Sequence, residues 1–147
     1  MKNRIFGLLF GCAYGDAMGM PSEMMSRKTM CKAFPEGVHK FLPSTPYDFI
    51  GRKFEAGAVT DDTINTLFVC DCIIQNGGKF DVQKYIHLLQ NWIKMNRDKS
   101  PYIFGPSTLK ALTSIEKGNS INTSGLFGTT NGAAMKVSPL GSICDYN

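Results

Sequence analysis

Apolar positions in this chain return every three or four residues in several segments and nowhere alternate for long, a helical pattern rather than a strand pattern. The clearest segment carries Val82, Tyr85, Ile86, Leu89, Trp92 and Ile93, with Asp81 in place to cap it. A second carries Ile64, Leu67, Phe68, Cys70, Ile73 and Ile74, between Thr60, a good N-cap, and a stop at Asn76-Gly77-Gly78. A third carries Leu109, Leu112 and Ile115, with Ser107 as its expected cap and Gly118 as its end. Asn131 to Met135 reads as the start of a last helix, and the small, polar stretch from Ile121 to Thr130 as a loop. Together with the N-terminal segment, the pattern predicts an all-α fold of roughly five helices.

The N-terminal segment, Asn3 to Met20, has a different character. Glycines at 7, 11, 15 and 19 fall on one slowly drifting helical stripe. Each weakens an isolated helix by up to ~1 kcal/mol relative to alanine, so the stripe predicts another backbone packed closely against it. From Pro21 to Gly57 no period is sustained, and Pro21, Pro35, Gly37, Pro43, Pro46 and Gly51 punctuate the segment. A loop of this length inside a compact domain is usually functional.

Composition narrows the class without deciding the chemistry. Apolar residues make up 43% and charged residues 19%, as in an ordinary globular protein, and the length of 147 residues suffices for one domain with a core. The net charge of +4 comes from scattered basic residues, so no dedicated nucleic-acid surface is expected. Five cysteines are an odd number without zinc-ligand spacing, which points to buried free thiols rather than a disulfide framework. Lys2 and Arg4 precede the apolar run Ile5 to Phe10, but that run is too short for a signal peptide and Phe10 too bulky for its cleavage site. No stretch is long enough to span a membrane, and a cytoplasmic location is expected.

Candidate chemistry concentrates at Thr60-Asp61-Asp62. One hydroxyl and two carboxylates at a helix start are hard oxygen ligands of the kind that Mg²⁺, Mn²⁺ or Ca²⁺ take. The same residues also make a routine helix start, with acids in the first turn where the helix dipole favours them. Asp16, among glycine, alanine and methionine, needs partners if buried: it either supports a site or caps a neighbouring helix. Glu23, just past the first helix, reads by itself as a solvated group. Asn131-Gly132, after Thr129-Thr130, offers backbone amides to an anion or simply caps a helix. His39 and His87 show no ligand spacing.

Three blocks of sequence make these pieces one pattern. GLLFGCAYGDAMGMPSE (Gly7 to Glu23), GAVTDDT (Gly57 to Thr63) and NGAAMKVSPLG (Asn131 to Gly141) occur in that order, and all three resemble motifs of the ADP-ribosylglycohydrolase family, which includes dinitrogenase reductase-activating glycohydrolase. The resemblance implies the N-terminal part of an all-α domain with a long entrance loop, and two Mg²⁺ ions, or Mn²⁺ in their place, at the base of a cleft. It implies hydrolysis of the glycosidic bond between ADP-ribose and an acceptor. Thr60, Asp61 and Asp62 would then be metal ligands, Glu23 and Asp62 the catalytic carboxylates, and Glu23 a substrate contact from the entrance loop. Gly105 and Thr108 would match the phosphate-binding loop, and Thr129, Thr130, Asn131 and Gly132 would line the distal ribose and diphosphate.

The family's second Asp-x-Asp motif has no counterpart here; the only acidic residue after Gly141 is Asp145. Residues 1–147 therefore read as a single incomplete domain without its C-terminal half. The expected partners are ADP-ribose or an ADP-ribosylated acceptor, together with a complementary C-terminal chain or further copies of this one. The alternative is a catalytically inactive remnant that binds ADP-ribose or another protein.

Overall fold

The computed structural model describes residues 2–144, so Asp145 lies outside the described residues. The chain is all-α, as the apolar pattern predicts, and no strand occurs among the described residues. In chain order the helices are α1 (Lys2–Gly19), α2 (Arg27–Ala33), α3 (Asp61–Gln75), α4 (Val82–Met95), α5 (Ser100–Ile103), α6 (Pro106–Glu116) and α7 (Ile121–Ser124). Two compact units are distinguished, Met1–Ile64 and Asn65–Asn147, with the division inside α3. No helix of the described residues is long and apolar enough to cross a membrane.

In the first unit, α1 buries little beyond Ala17. Its aromatic side chains form an outward ladder at four-residue spacing: Phe6 stacks on Phe10 at 5.8 Å, Phe10 meets Tyr14 at 5.9 Å, and Tyr14 meets Phe41 edge-on at 5.2 Å. The glycine stripe does not meet the close neighbour expected of it. A Cβ added at Gly7, Gly11, Gly15 or Gly19 would reach no other group among the described residues. Spacing identifies a shared helical face, but it does not supply the surface that covers it.

The segment after α1 is more ordered than its irregular sequence suggests. Ser26 caps α2 by accepting from the Thr29 amide at 3.1 Å, and Pro35 follows directly on the C-cap, Phe34. Further on, Ser44 and Phe54 pair through the Ser44 amide to the Phe54 carbonyl (2.9 Å) and the Phe54 amide to Ser44 Oγ (3.1 Å). Gly51 and Gly57 take positive φ angles of 74° and 84° between and beyond them, a conformation that favours glycine. Side-chain bonds of this kind leave no apolar period to read.

The second unit packs as the pattern leads one to expect on α4 and α6, but α3 buries a different face. Of its expected apolar positions only Ile73 is buried, while Leu67 and Ile74 are 47% and 76% exposed. Val69, Cys72 and Ile73 of α3 are buried, as are Tyr85, Ile86 and Leu89 of α4, Leu112 of α6, and Phe104 just after α5. The Trp92 ring meets Phe104 edge-on at 5.3 Å, an arrangement aromatic quadrupoles favour. Asp81 caps α4 as expected, accepting from the amides of Gln83 (2.8 Å) and Lys84 (3.2 Å). At the end of α3 the Gly78 amide donates back to the Ile73 carbonyl at 2.9 Å, with Gly77 and Gly78 both at positive φ.

Four local expectations need correction. Ser107 does not cap α6, because Gly105 holds the cap position and Pro106 takes the first turn, where its missing amide costs nothing. The helix expected from Asn131 is a pair of 3₁₀ turns, Ala134–Lys136 and Ser138–Ser142, since Pro139 cannot continue an α-helix begun so shortly before it. A single α-helical turn, α7, interrupts the stretch read as loop after Ile121, capped by Ser120. All five cysteines are free thiols as expected, but only Cys72 is buried; Cys12 and Cys70 are half-buried, and Cys31 and Cys144 are exposed.

Candidate functional site

The first unit contains a polar interior built around Asp16. Its carboxylate accepts four hydrogen bonds: from the Thr60 amide (2.8 Å) and hydroxyl (2.8 Å), and from the Thr63 amide (3.1 Å) and hydroxyl (2.6 Å). Thr63 is the third residue of α3, where an N-cap side chain normally satisfies the orphan amide. Here α1 supplies that acceptor, and Asp16 is an internal cap for a neighbouring helix. Thr60 keeps the cap position, since its carbonyl accepts from the Ile64 amide at 3.2 Å. Its hydroxyl is turned away from the helix amides, toward Asp16 and, at 3.4 Å, toward Asp62 Oδ2.

Asp16 caps the helix from α1, and Asp61 and Asp62 lie beside that cap in the first turn of α3. Both are half-buried. Burial, then the neighbouring charge of Asp62, pushes the Asp61 carboxyl up to about 7, with Glu23 and Asp16 adding to it and a backbone hydrogen bond opposing it. The Asp62 carboxyl is raised by burial and by the charges of Asp16 and Glu23, against the Thr60 hydroxyl and its own backbone bond. The helix N-terminus favours anions, but by an amount too small to offset this crowding. Two carboxyls held above their ordinary range by burial and by neighbouring negative charge form a place where a cation is favoured.

Glu23 follows the 3₁₀ turn Met20–Ser22 that ends α1. Sequence alone suggests a solvated glutamate, and the structure instead ties its partly exposed carboxylate to Arg52. Arg52 Nε also donates to Asp48 Oδ2 at 2.8 Å, and its Nη2 to the Met20 carbonyl at 3.2 Å. The Arg52 and Asp48 side chains are each only 1% exposed. Burial works to lower the guanidinium, but the hydrogen bonds and charges of Glu23 and Asp48 outweigh it and the net shift is upward. Sequence reasoning assigned nothing to Asp48 or Arg52. Their one trace is an acid and a base four residues apart in a loop, a spacing with meaning on a helix but not in irregular backbone.

Thr60, Asp61, Asp62 and Glu23 thus share the first unit, close enough for the Glu23 charge to act on both aspartates. The other expected ligand residues belong to the second unit. Gly105 precedes α6 and accepts from the Thr108 amide at 3.1 Å. Thr129, Thr130 and Asn131 are exposed and Gly132 half-buried. Asn131 opens a 3₁₀ turn through its carbonyl, 2.8 Å from the Ala134 amide, so the α-helical N-terminus expected to hold an anion is not formed there. His39 contacts the Glu36 carbonyl and His87 lies exposed on α4.

The donors around Asp61 fit a hard divalent cation in kind, being carboxylate and hydroxyl oxygens with surplus negative charge. In number they fall short: among the described residues no three Asp, Glu, His or Cys side chains converge on one point. The sequence matches the ADP-ribosylglycohydrolase family over residues 1–146. The chain belongs to that family. It is 36% identical over 140 residues to the uncharacterized protein YegU of Escherichia coli K12, a match that covers 95% of this chain and 42% of that protein. It is 31% identical over 147 residues to an uncharacterized protein of Archaeoglobus fulgidus, covering 100% of this chain and 45% of the relative. The chain therefore spans less than half the length of these two relatives.

Proposed function

We propose that this ADP-ribosylglycohydrolase family member takes part in magnesium-dependent hydrolysis of the glycosidic bond between ADP-ribose and an acceptor, contributing one side of the site. The observation that carries the reading is the pair Asp61–Asp62, half-buried with raised carboxyl pKa values, at a helix start that a third acid already caps. Thr60, Asp61 and Asp62 are the residues that would hold Mg²⁺. Bound there, the ion supplies positive charge that orients ribose hydroxyls and the attacking water.

The chain's own residues do the rest. Glu23 and Asp62 are the carboxylates offered to that water. One accepts a proton as the water oxygen joins the anomeric carbon and the bond to the acceptor breaks, and the proton then passes to the departing acceptor. The surrounding negative charge stabilises oxocarbenium character as that bond lengthens. Within the second unit, Gly105, Thr108, Thr129, Thr130, Asn131 and Gly132 are the residues proposed to contact ADP-ribose. A complementary polypeptide segment brings the remaining ligands.

The test is calorimetric titration of the chain with MgCl₂ and then ADP-ribose, beside the double variant Asp61→Asn/Asp62→Asn. The wild type releases heat on both additions and the variant does not. Equal heats from the two proteins would overturn the proposal.

A further inference from the structure

A buried arginine needs one carboxylate for neutrality, and Arg52 already has Asp48. That partnership is complete in itself. Asp48 Oδ1 accepts from the amides of Ile50 (2.9 Å) and Arg52 (3.2 Å), which fixes the acid, while its Oδ2 takes Nε of the guanidinium. The remaining edges of the guanidinium point elsewhere, Nη2 to the Met20 carbonyl and Nη1 to Glu23. A second carboxylate is thereby drawn onto a cation that core stability does not require it to meet. Directly after Glu23, Met24 takes φ 58°, a left-handed conformation that residues other than glycine rarely adopt. The turn that presents Glu23 is set from both sides.

We infer that Arg52, anchored by Asp48, is a positioning residue that fixes the orientation in which the Glu23 carboxylate meets ligand. This rests on the reading of Glu23 and the two aspartates as the ADP-ribose and metal site. Arg52 itself touches no substrate. Its planar fork serves Asp48, Glu23 and the Met20 carbonyl at once, which the single ammonium of a lysine does not reproduce.

ADP-ribose affinity in saturating Mg²⁺, measured by calorimetry, tests the inference on wild type, Arg52→Lys, Glu23→Gln and their double variant, with thermal melts confirming folding. Arg52→Lys and Glu23→Gln should each weaken binding about tenfold, the scale of losing a residue that orients a ligand group. The double variant should be no weaker than Glu23→Gln, because Arg52 acts only through that carboxylate. Losses that multiply, or wild-type affinity in Arg52→Lys beside weak Glu23→Gln, would sink the positioning role while leaving Glu23 in the site. Wild-type affinity in Glu23→Gln removes Glu23 from the site and the inference with it. Should Arg52→Lys melt early, Glu23→Asp reads the same contact from the partly exposed side. It keeps the charge but shortens the reach, so it must bind as weakly as Glu23→Gln; wild-type affinity there overturns the inference.

Discussion

In the unit that ends at Ile64, the buried positions include Asp48, Arg52, Thr60 and Thr63 beside Ala17 and Met20, whereas the unit that follows buries Val69, Cys72, Ile73, Tyr85, Ile86, Leu89, Phe104 and Leu112. The first interior is organised by hydrogen bonds to two acids, Asp16 and Asp48, each accepting from several donors. The second is organised mainly by apolar contact, with a smaller buried polar cluster. There the Tyr85 hydroxyl donates to Asn65 Oδ1 and accepts from Lys136 Nζ (3.0 Å), and the Thr66 hydroxyl donates to the Met135 carbonyl (3.2 Å). Apolar burial is non-directional and tolerant of small shifts, while a charged hydrogen bond fixes distance and angle. The difference teaches where each property of the molecule resides: the apolar unit supplies stability, and the polar unit supplies the placement of charge that a ligand site needs.

The sharpest way to break the comparison is to remove apolar contact from the second unit. Phe104→Ala deletes a ring that is 2% exposed and packed on Trp92. It should cost about 4 kcal/mol by urea unfolding. A loss well below that would mean the unit is not held by its aromatic core.

The first unit should answer to protons instead. Because Asp61 must lose its proton to hold a cation and does so only near pH 7, apparent Mg²⁺ affinity should rise about tenfold per pH unit from 5 to 7 and level off above. The metal-free protein should show the opposite slope in stability. The folded carboxyl sits above its ordinary value of 3.8, so the folded state keeps a proton that the unfolded chain has released. The resulting stability is fully present below about pH 4 and is lost as pH rises through about 7. Asp61→Asn should flatten both profiles, and an unchanged affinity profile in that variant would show that another group governs binding.

Next in size is Asp16→Asn. It keeps the shape but replaces an acceptor of four hydrogen bonds with a group that can serve only part of them, at an expected cost of about 2 kcal/mol. The loss should be accompanied by amide exchange at Thr60 and Thr63. Protection retained at both would show that α3 does not depend on α1 for its cap. The smallest effect is the ordinary one: Asp81→Ala removes a local N-cap in the second unit and should cost about 1 kcal/mol, with no change in Mg²⁺ response.

How much was legible follows the same division. The helices α4 and α6 bury apolar residues that their spacing marks, because these pack against neighbours that demand no special partner. Helix α3 lies where its spacing puts it but buries Val69, Cys72 and Ile73 beside the polar Asn65 and Thr66, leaving the marked Leu67 and Ile74 exposed. Thr60, Asp61 and Asp62 were visible as adjacent oxygen-bearing side chains at a helix start. That Asp16 caps this helix was one of two open readings, since a carboxylate in a sequence does not reveal its donors. Arg52 was invisible, because its importance comes from Glu23 and Met20, which lie about thirty residues away in the chain.

By itself, then, the sequence determined the helical class, the family and the types of oxygen ligand available, all of which depend on local spacing and residue chemistry. Only the tertiary structure decided that Asp16, and not an acid of the first turn itself, caps α3, because that choice depends on a 44-residue separation between Asp16 and Thr60 closed to a 2.8 Å hydrogen bond. It likewise decided that Glu23 is held by an arginine rather than by water. Local preference selects the elements, and electrostatics between distant segments assigns their carboxylates to different tasks.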